Sequence, residues 1–435
     1  MDLKERNIYE AASNNDIDTL KEALAGKHGE PRKEDLELAL FRSSTFGHIE
    51  CVNLLLDFKV NINAHNGSED TPIMLAAHSG HANVVTRLIE RGANIHDQNC
   101  MGYTALMKAC ENGQVETVEL LLKHGANITQ HEVPPEEHNA LPNGSAKNLL
   151  PKFMPHGYTA LMVLVLKQPD NYKTLLKMLL DANMPVNEID LEETTVLLHA
   201  ANKCPPDVIE MLLLAGAAVN AVDTWGVTAL MQASAYNKVE NVQVLLKYGA
   251  NVLITCKAKR TALSIATRTG PEELIKALLE AGADMNQKDA HGRTPLFISI
   301  SHVNYAGLKC LIQAGCDLTV MCREVTTFQF MNCFECALHR KDSNMVETLY
   351  QAGACTNKKI FDIFSDEKFK EQFADVPEII EFFNKVVSTP RSLRSNCRMI
   401  IRDCVRKPLP ISVASLNLPA SLKDYLLFKD IHIPQ

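Results

Sequence analysis

Apolar residues recur at helical spacing in short runs along this chain, and the runs themselves recur. Each run opens on a threonine: Thr71 (TPIMLAA), Thr104 (TALMKAC), Thr159 (TALMVLV), Thr195 (TVLLHAA), Thr228 (TALMQAS), Thr261 (TALSIAT) and Thr294 (TPLFISI). Successive threonines lie 33, 55, 36, 33, 33 and 33 residues apart. About 21 residues after the threonine a second marker appears, an apolar pair followed by a small-residue turn. It reads Leu88-Ile89…Gly92-Ala93-Asn94, then Leu121-Leu122…Gly125-Ala126-Asn127, Leu245-Leu246…Gly249-Ala250-Asn251 and Leu278-Leu279…Gly282-Ala283-Asp284. Two markers locked to one period identify a repeat architecture built from one small unit.

Residues 101–130 show the physics of that unit. Gly102-Tyr103 predicts a turn, since glycine tolerates positive φ. Thr104 predicts a helix N-cap through its hydroxyl. Ala105, Leu106 and Ala109 then share one face, and the alanines allow a neighbouring helix to approach closely. Asn112-Gly113 ends that helix. Val115, Val118, Leu121 and Leu122 form the apolar stripe of a second helix, and Gly125 stands where a left-handed C-cap residue belongs. One such pair leaves its apolar face uncovered, so stacking against further copies is obligatory.

Units with these motifs resemble ankyrin repeats, and the resemblance spans roughly residues 5–355. Weaker copies run over 35–66 (Leu54-Leu55…Val60-Asn61-Ile62-Asn63) and 324–355 (Leu349…Gly353-Ala354), and residues 5–26 resemble a truncated N-terminal cap. The family's usual histidine after T-P-L is replaced by Met74, Met107, Met162, Leu198, Met231, Ser264 and Phe297, which removes the Thr–His hydrogen bond from every copy. Methionine fills the same space at some cost in rigidity. The predicted fold is all-α: an ankyrin-repeat solenoid of helix-turn-helix units with β-turn fingers, nine to ten repeats within 1–355. The period breaks at 131–155 (HEVPPEEHNALPNGSAKNLLPKFMP), a Pro-, Asn-, Gly- and Glu-rich insertion that reads as a loop on one edge of the array.

Past Ala354 the period stops. Residues 356–389 read as a helical cap or linker, with one helix carrying Ile360, Phe361, Phe364, Phe369 and Phe373 and a second after Pro377. Residues 390–435 differ in kind. Ser392 is an N-cap candidate, and Leu393, Cys397 and Ile401 fall four apart on one narrow ridge, with Met399, Ile400 and Val405 beside it. A short helix this apolar wants a groove to lie in. The segment then runs through Leu416-Asn417-Leu418-Pro419 to a stripe of Leu422, Tyr425 and Leu426.

This order of parts resembles a SOCS box, a small three-helix module. Ser392, Leu393, Cys397 and Ile401 match its motif S-L-x-x-x-C-x-x-x-I, which implies that these residues, with Ile400 and Val405, bind Elongin C. Leu416, Leu418, Pro419, Leu422 and Tyr425 resemble the cullin box, although Asn417 stands where the family usually has proline. The resemblance to ankyrin-repeat and SOCS-box proteins implies a substrate-recognition subunit of a ubiquitin ligase. Its partners would be Elongin C, Elongin B, cullin-five, a RING-box protein held through the cullin, and a protein substrate on the repeats. The alternative is an ankyrin interaction scaffold whose C-terminal helices only cap the array.

Composition narrows the remaining classes. A chain of 435 residues exceeds one compact core, a limit that stacked repeats avoid. Net charge is −8 and thinly spread, without the clustered Lys and Arg of a nucleic-acid footprint. The polar start Met1-Asp2-Leu3-Lys4-Glu5-Arg6 lacks a signal-peptide core, and no run of about 18 apolar residues predicts a membrane span. A cytosolic or nuclear location is expected, with the 13 cysteines as reduced thiols. Cys333-x-x-Cys336, near Cys316, Cys322, His339 and Cys355, has the look of a zinc ligand pair, but no second pair has the required spacing. These residues also sit where a repeat's first helix needs small side chains. No phosphate loop, metalloprotease signature or nucleophile elbow occurs, so neither enzyme activity nor a cofactor is expected. The resemblance to ankyrin arrays implies substrate contacts at turn tips and on the concave face. Trp225, in Asp223-Thr224-Trp225-Gly226, either anchors a partner or packs on the adjacent turn. Tyr103, Tyr158, Arg260 and His291 occupy nearby or equivalent positions.

Overall fold

The computed structural model describes residues 3–25, 31–126, 157–323 and 330–388, in two compact units that divide between Thr224 and Trp225. The insertion at 131–155 and the segment 390–435 lie outside the described residues.

Six helix pairs make up the described part of the first unit. They are Leu3–Asn14 with Ile17–Leu24, Lys33–Phe46 with Ile49–Asp57, Pro72–Ser79 with Ala82–Glu90, Ala105–Glu111 with Val115–Lys123, Ala160–Lys167 with Tyr172–Asp181, and Val196–Lys203 with Pro206–Leu214. Each first helix packs on the first helix of the next pair. The segment read as a truncated cap is a full helix pair.

The threonines start the helices as their position implies. The hydroxyls of Thr104, Thr159 and Thr195 accept the amide hydrogens of Met107, Met162 and Leu198 at 3.4, 3.3 and 3.5 Å. Thr71 makes no such bond, and its buried hydroxyl has no partner. Pro72 at the first helical position fixes φ there instead. Met74, Met107 and Met162 are buried in the place of the missing histidine.

A second device joins successive pairs. Side chains at the head of the second helix reach back to the previous pair's first helix. His48 Nε2–H donates to the Ser13 carbonyl at 3.1 Å, His81 Nε2–H to Thr45 at 3.0 Å, and Gln114 Nε2 to His78 at 3.3 Å. These carbonyls are among the ones a helix C-terminus leaves unpaired.

The second unit holds four more pairs: Ala229–Ala235 with Val239–Lys247, Ala262–Thr269 with Glu272–Glu280, Pro295–Ser301 with Tyr305–Ala314, and Cys333–His339 with Ser343–Ala352. Here Ser264 regains part of what the lost histidine supplied. Its hydroxyl accepts from the Thr261 amide at 3.0 Å and donates to the Thr261 carbonyl at 2.9 Å, closing a capping box. Before the last pair, Cys322–Arg323 and Phe330–Met331 pair as a two-stranded antiparallel sheet.

The segment after the last repeat forms three helices, Asn357–Phe364, Glu367–Gln372 and Pro377–Ser388, where the sequence predicted two. The first ends at Phe364, where the Ser365 hydroxyl bonds back to the Phe361 carbonyl at 2.7 Å and the Asp366 amide turns to Ile363. Phe383 is fully buried against Phe334, Phe364 and Phe369, with ring centroids 4.8–6.5 Å apart. Lys359 pairs with Glu335, and Lys341 with Asp375, both at 2.6 Å. The aromatic helices thus cover the end of the last repeat.

Candidate partner-binding surfaces

The turns that enter each first helix share a hydrogen-bond circuit. Five residues before the capping threonine stands an Asx side chain whose oxygen accepts two amide hydrogens of its own turn. Asn66 takes Ser68 and Asp70 at 2.8 and 2.9 Å. Asn99 takes Met101 and Tyr103 at 3.0 and 2.9 Å. Asp190 takes Glu192 and Thr194 at 2.9 and 2.8 Å. Asp289 takes His291 and Arg293, both at 2.9 Å. Cys256 occupies the register without such an oxygen, yet its amide still closes the turn on the Arg260 carbonyl at 3.0 Å. Neighbouring fingers are tied by single backbone bonds, from Cys100 to Ser68 and Thr224 to Glu192 in the first unit, and from Lys257 to Trp225 and Ala290 to Ala258 in the second, at 2.8–3.3 Å. This Asx register recurs with the same period as the threonines, and the sequence reading passed over it.

The circuit decides which finger residues face water. Three residues before the threonine lie the tips, among them Ser68, Glu192, Trp225 and His291, all exposed. One residue before the threonine the chain turns back toward the helix, and that register is covered in every described repeat. It holds Asp70, Tyr103, Tyr158, Thr194, Val227, Arg260 and Arg293, buried or half-buried. The expected surface candidates therefore separate. Tyr103 is only 7% exposed, which removes it as a solvent-facing anchor; its ring covers Lys108, whose Nζ lies 5.6 Å from the centroid. Tyr158 is half-buried, edge-on to the His199 ring at 5.8 Å. Arg260 is half-buried as well. Trp225 is 64% exposed, with Lys257 Nζ at 5.6 Å from its ring.

Two buried carboxylates hold the fingers electrostatically. Burial acts to raise the pKa of Asp289, but hydrogen bonds from the Arg293 guanidinium at 2.7 and 2.9 Å and from backbone amides outweigh it and set it below the usual carboxylate value. Asp190 behaves alike: burial opposes ionisation, while His199 at 2.8 Å and the amides of Thr194 and Glu192 prevail.

Lys257, Lys259 and Lys288 are exposed on the second unit's fingers, and none was anticipated as a contact residue. Their signal was the run Lys257-Ala258-Lys259-Arg260 in a turn without a carboxylate.

Burial pushes the thiols of Cys110, Cys204 and Cys310 up to about 12, 11 and 11. Burial also raises the Cys333 thiol well above the ordinary range, with Cys322, Cys316 and Cys336 adding to it. Such thiols stay protonated and pack as small apolar groups. Among the described residues no cluster of three His, Cys, Asp or Glu is arranged to hold a metal ion, and no helix is long and apolar enough to cross a membrane.

The residues expected to bind Elongin C (Ser392, Leu393, Cys397, Ile400, Ile401, Val405) and the cullin (Leu416, Leu418, Pro419, Leu422, Tyr425) lie outside the described residues. Comparison with known families reaches them. A family model described as ankyrin repeats (3 copies) matches residues 8–99, 40–132, 161–256, 198–289 and 230–322. A SOCS box model matches 389–427, a span that includes every one of these residues. The crystal structure of the human ASB11 ankyrin repeat domain is similar at 23% identity and a TM-score of 0.44, covering 56% of this chain and 98% of that one. No curated protein matches the chain.

Proposed function

This chain belongs to the ankyrin-repeat family and carries a C-terminal SOCS box, and from that premise we propose that it is the substrate-recognition subunit of an Elongin B/C–cullin–RING ubiquitin ligase. The observation that carries the proposal is the SOCS box match at 389–427, which begins directly after the helix Pro377–Ser388 that follows the repeats. Within it, Leu393 and Cys397 are the side chains we assign to the Elongin C pocket, with Ser392, Ile400, Ile401 and Val405 around them. One fully buried leucine contributes roughly 2–3 kcal/mol, and a few such anchors dominate an interface. Leu416, Leu418, Pro419, Leu422 and Tyr425 would then meet cullin-five, which brings its RING-box protein.

In this reading the chain supplies proximity and orientation, and the chemistry of ubiquitin transfer belongs to its partners. The fingers, with Trp225 and His291 at exposed tips and Arg260 behind them, take the protein substrate, and the complex works in the cytosol or nucleus.

Co-purification tests the proposal. The intact chain should retain Elongin B and Elongin C, and Leu393→Ala with Cys397→Ala should abolish that retention. Leu416→Ala with Leu418→Ala should lose cullin-five while keeping the elongins. An unchanged pull-down after the Leu393 and Cys397 substitutions sinks the reading.

A further inference from the structure

The second unit's fingers combine an exposed aromatic ring with exposed lysines. Three consecutive tips are fixed side by side, because the Lys257 amide donates to the Trp225 carbonyl at 2.8 Å and the Ala290 amide to the Ala258 carbonyl at 2.9 Å. Gly226 allows the first of these approaches: a Cβ there would stand 3.2 Å from the Cys256 Cα, and its φ is +73°. Lys257, Lys259 and Lys288 are exposed on these tips and Arg260 is half-buried behind them. Over 254–260 and 286–293 the one carboxylate is Asp289, which is buried and paired with Arg293 at 2.7 Å. Exposed Asp284 precedes Lys288 by four residues, exposed Asp317 bonds through its amide to Asn286, and Asp223 is half-buried on the Trp225 finger, so the charge concentrates at Lys257 and Lys259, whose own finger has no acid.

We propose that these fingers form a docking site for an acidic, extended peptide segment, with Trp225 as the apolar anchor and Lys257, Lys259 and Lys288 as its charge partners. The inference rests on the substrate-receptor reading and adds the chemistry of the substrate. Charge complementarity selects the ligand: exposed lysines on adjacent fingers, with no acid over 254–260, attract carboxylates and repel basic segments. The exposed indole gives an apolar residue of the peptide a surface to cover, the role large aromatics play at interface centres. A segment that spans three adjacent tips must be extended. Single-stranded nucleic acid fits less well, because it needs successive stacking platforms along a basic groove. Here one aromatic serves three tips, and the whole chain carries a net charge of −8.

Trp225 is the chain's single tryptophan, so its emission reports occupancy of this site directly. The probe is a fluorescein-free (Glu-Glu-Leu)4 peptide titrated into the full chain at low salt, with (Lys-Lys-Leu)4 and a dT12 oligonucleotide in parallel. The acidic peptide should shift Trp225 emission saturably, and added salt should weaken it. The basic peptide should produce no shift. The triple variant Lys257→Glu, Lys259→Glu, Lys288→Glu, all surface changes, should lose roughly tenfold or more in affinity. Circular dichroism confirms that the variant keeps its helices. The inference is overturned if emission stays flat with the acidic peptide, if charge reversal leaves affinity unchanged, or if dT12 binds more tightly. Elongin B/C pull-downs on the same preparations separate the two ideas. Retained elongins without peptide binding overturn this site alone, whereas peptide binding without elongins overturns the ligase reading alone.

Discussion

Asn99 in the first unit and Asp289 in the second perform the same backbone task, each accepting two amide hydrogens of its own turn. Around that shared circuit the fingers diverge. In the first unit, segments 61–70, 94–103 and 187–194 contain no Lys or Arg, and Glu69, Asp97, Glu188, Glu192 and Glu193 make them acidic. In the second, 251–260 carries Lys257, Lys259 and Arg260 with no acid, and 284–293 balances Lys288 and Arg293 against Asp284 and Asp289. Ile189, Leu191 and Val222 add exposed apolar surface to the first set, and Trp225 to the second. The difference teaches that a periodic scaffold fixes where tips stand, while tip residues, which the circuit leaves unconstrained, set what each region attracts. Acidic fingers in the first unit and a basic finger at 251–260 in the second thus share one backbone circuit.

Four experiments break or sharpen that comparison. The largest effect concerns the shared core. Leu121→Ala in the first unit and Leu245→Ala in the second remove equivalent, fully buried side chains. Each should lose about 2–5 kcal/mol in denaturant unfolding followed by circular dichroism. A large loss in one unit and none in the other would contradict a common scaffold.

Next comes the finger circuit. Asp289→Ala strips two amides and the Arg293 guanidinium of their acceptor, and should cost about 2–3 kcal/mol. The acid profile gives the sign independently. The folded pKa of Asp289 lies below its unfolded value of about 3.9. Its contribution is therefore complete above that value and is lost as pH falls from there through the lower folded pKa. Asp190 follows the same direction. The double variant Asp190→Asn, Asp289→Asn should thus lose less stability than the natural chain on acidification below about pH 4. Equal slopes would show that the neutral Asn99 finger and the charged Asp289 finger are not electrostatically distinct.

The capping threonines give a smaller contrast. Thr104→Ala removes a hydroxyl that accepts the Met107 amide and should cost about 1 kcal/mol. Thr71→Ala removes a buried hydroxyl without a partner along with a methyl, two opposing effects, and should cost less than Thr104→Ala. Thermal melts of the two variants check the difference.

The smallest effect is a gain. Lys259 holds φ +54° in the register where Gly102, Gly226 and Gly292 also have positive φ. Lys259→Gly should stabilise by roughly 0.5–1 kcal/mol, since relief of left-handed strain exceeds the added backbone entropy of glycine. The same change removes one cation, so it should also weaken the acidic peptide slightly.

Much of the architecture was legible in order. Threonine register, paired apolar stripes and glycine C-caps repeat, and repetition multiplies a weak local signal. The break at Ser365 was not legible, because no Gly or Pro marks it in the sequence. Tyr103 and Trp225 looked alike as aromatics in turns. Their fates differ because one lies in the covered register beside the threonine and the other at the tip.

The sequence by itself determined the period, the cap positions and the family of both parts of the chain, since each depends on residues close together in order. Tertiary structure alone decided which turn residues reach water and that Lys257 lies over the Trp225 ring. Those outcomes depend on backbone bonds such as that from Lys257 to Trp225, between residues 32 apart in the chain, and on burial that only a neighbouring finger supplies.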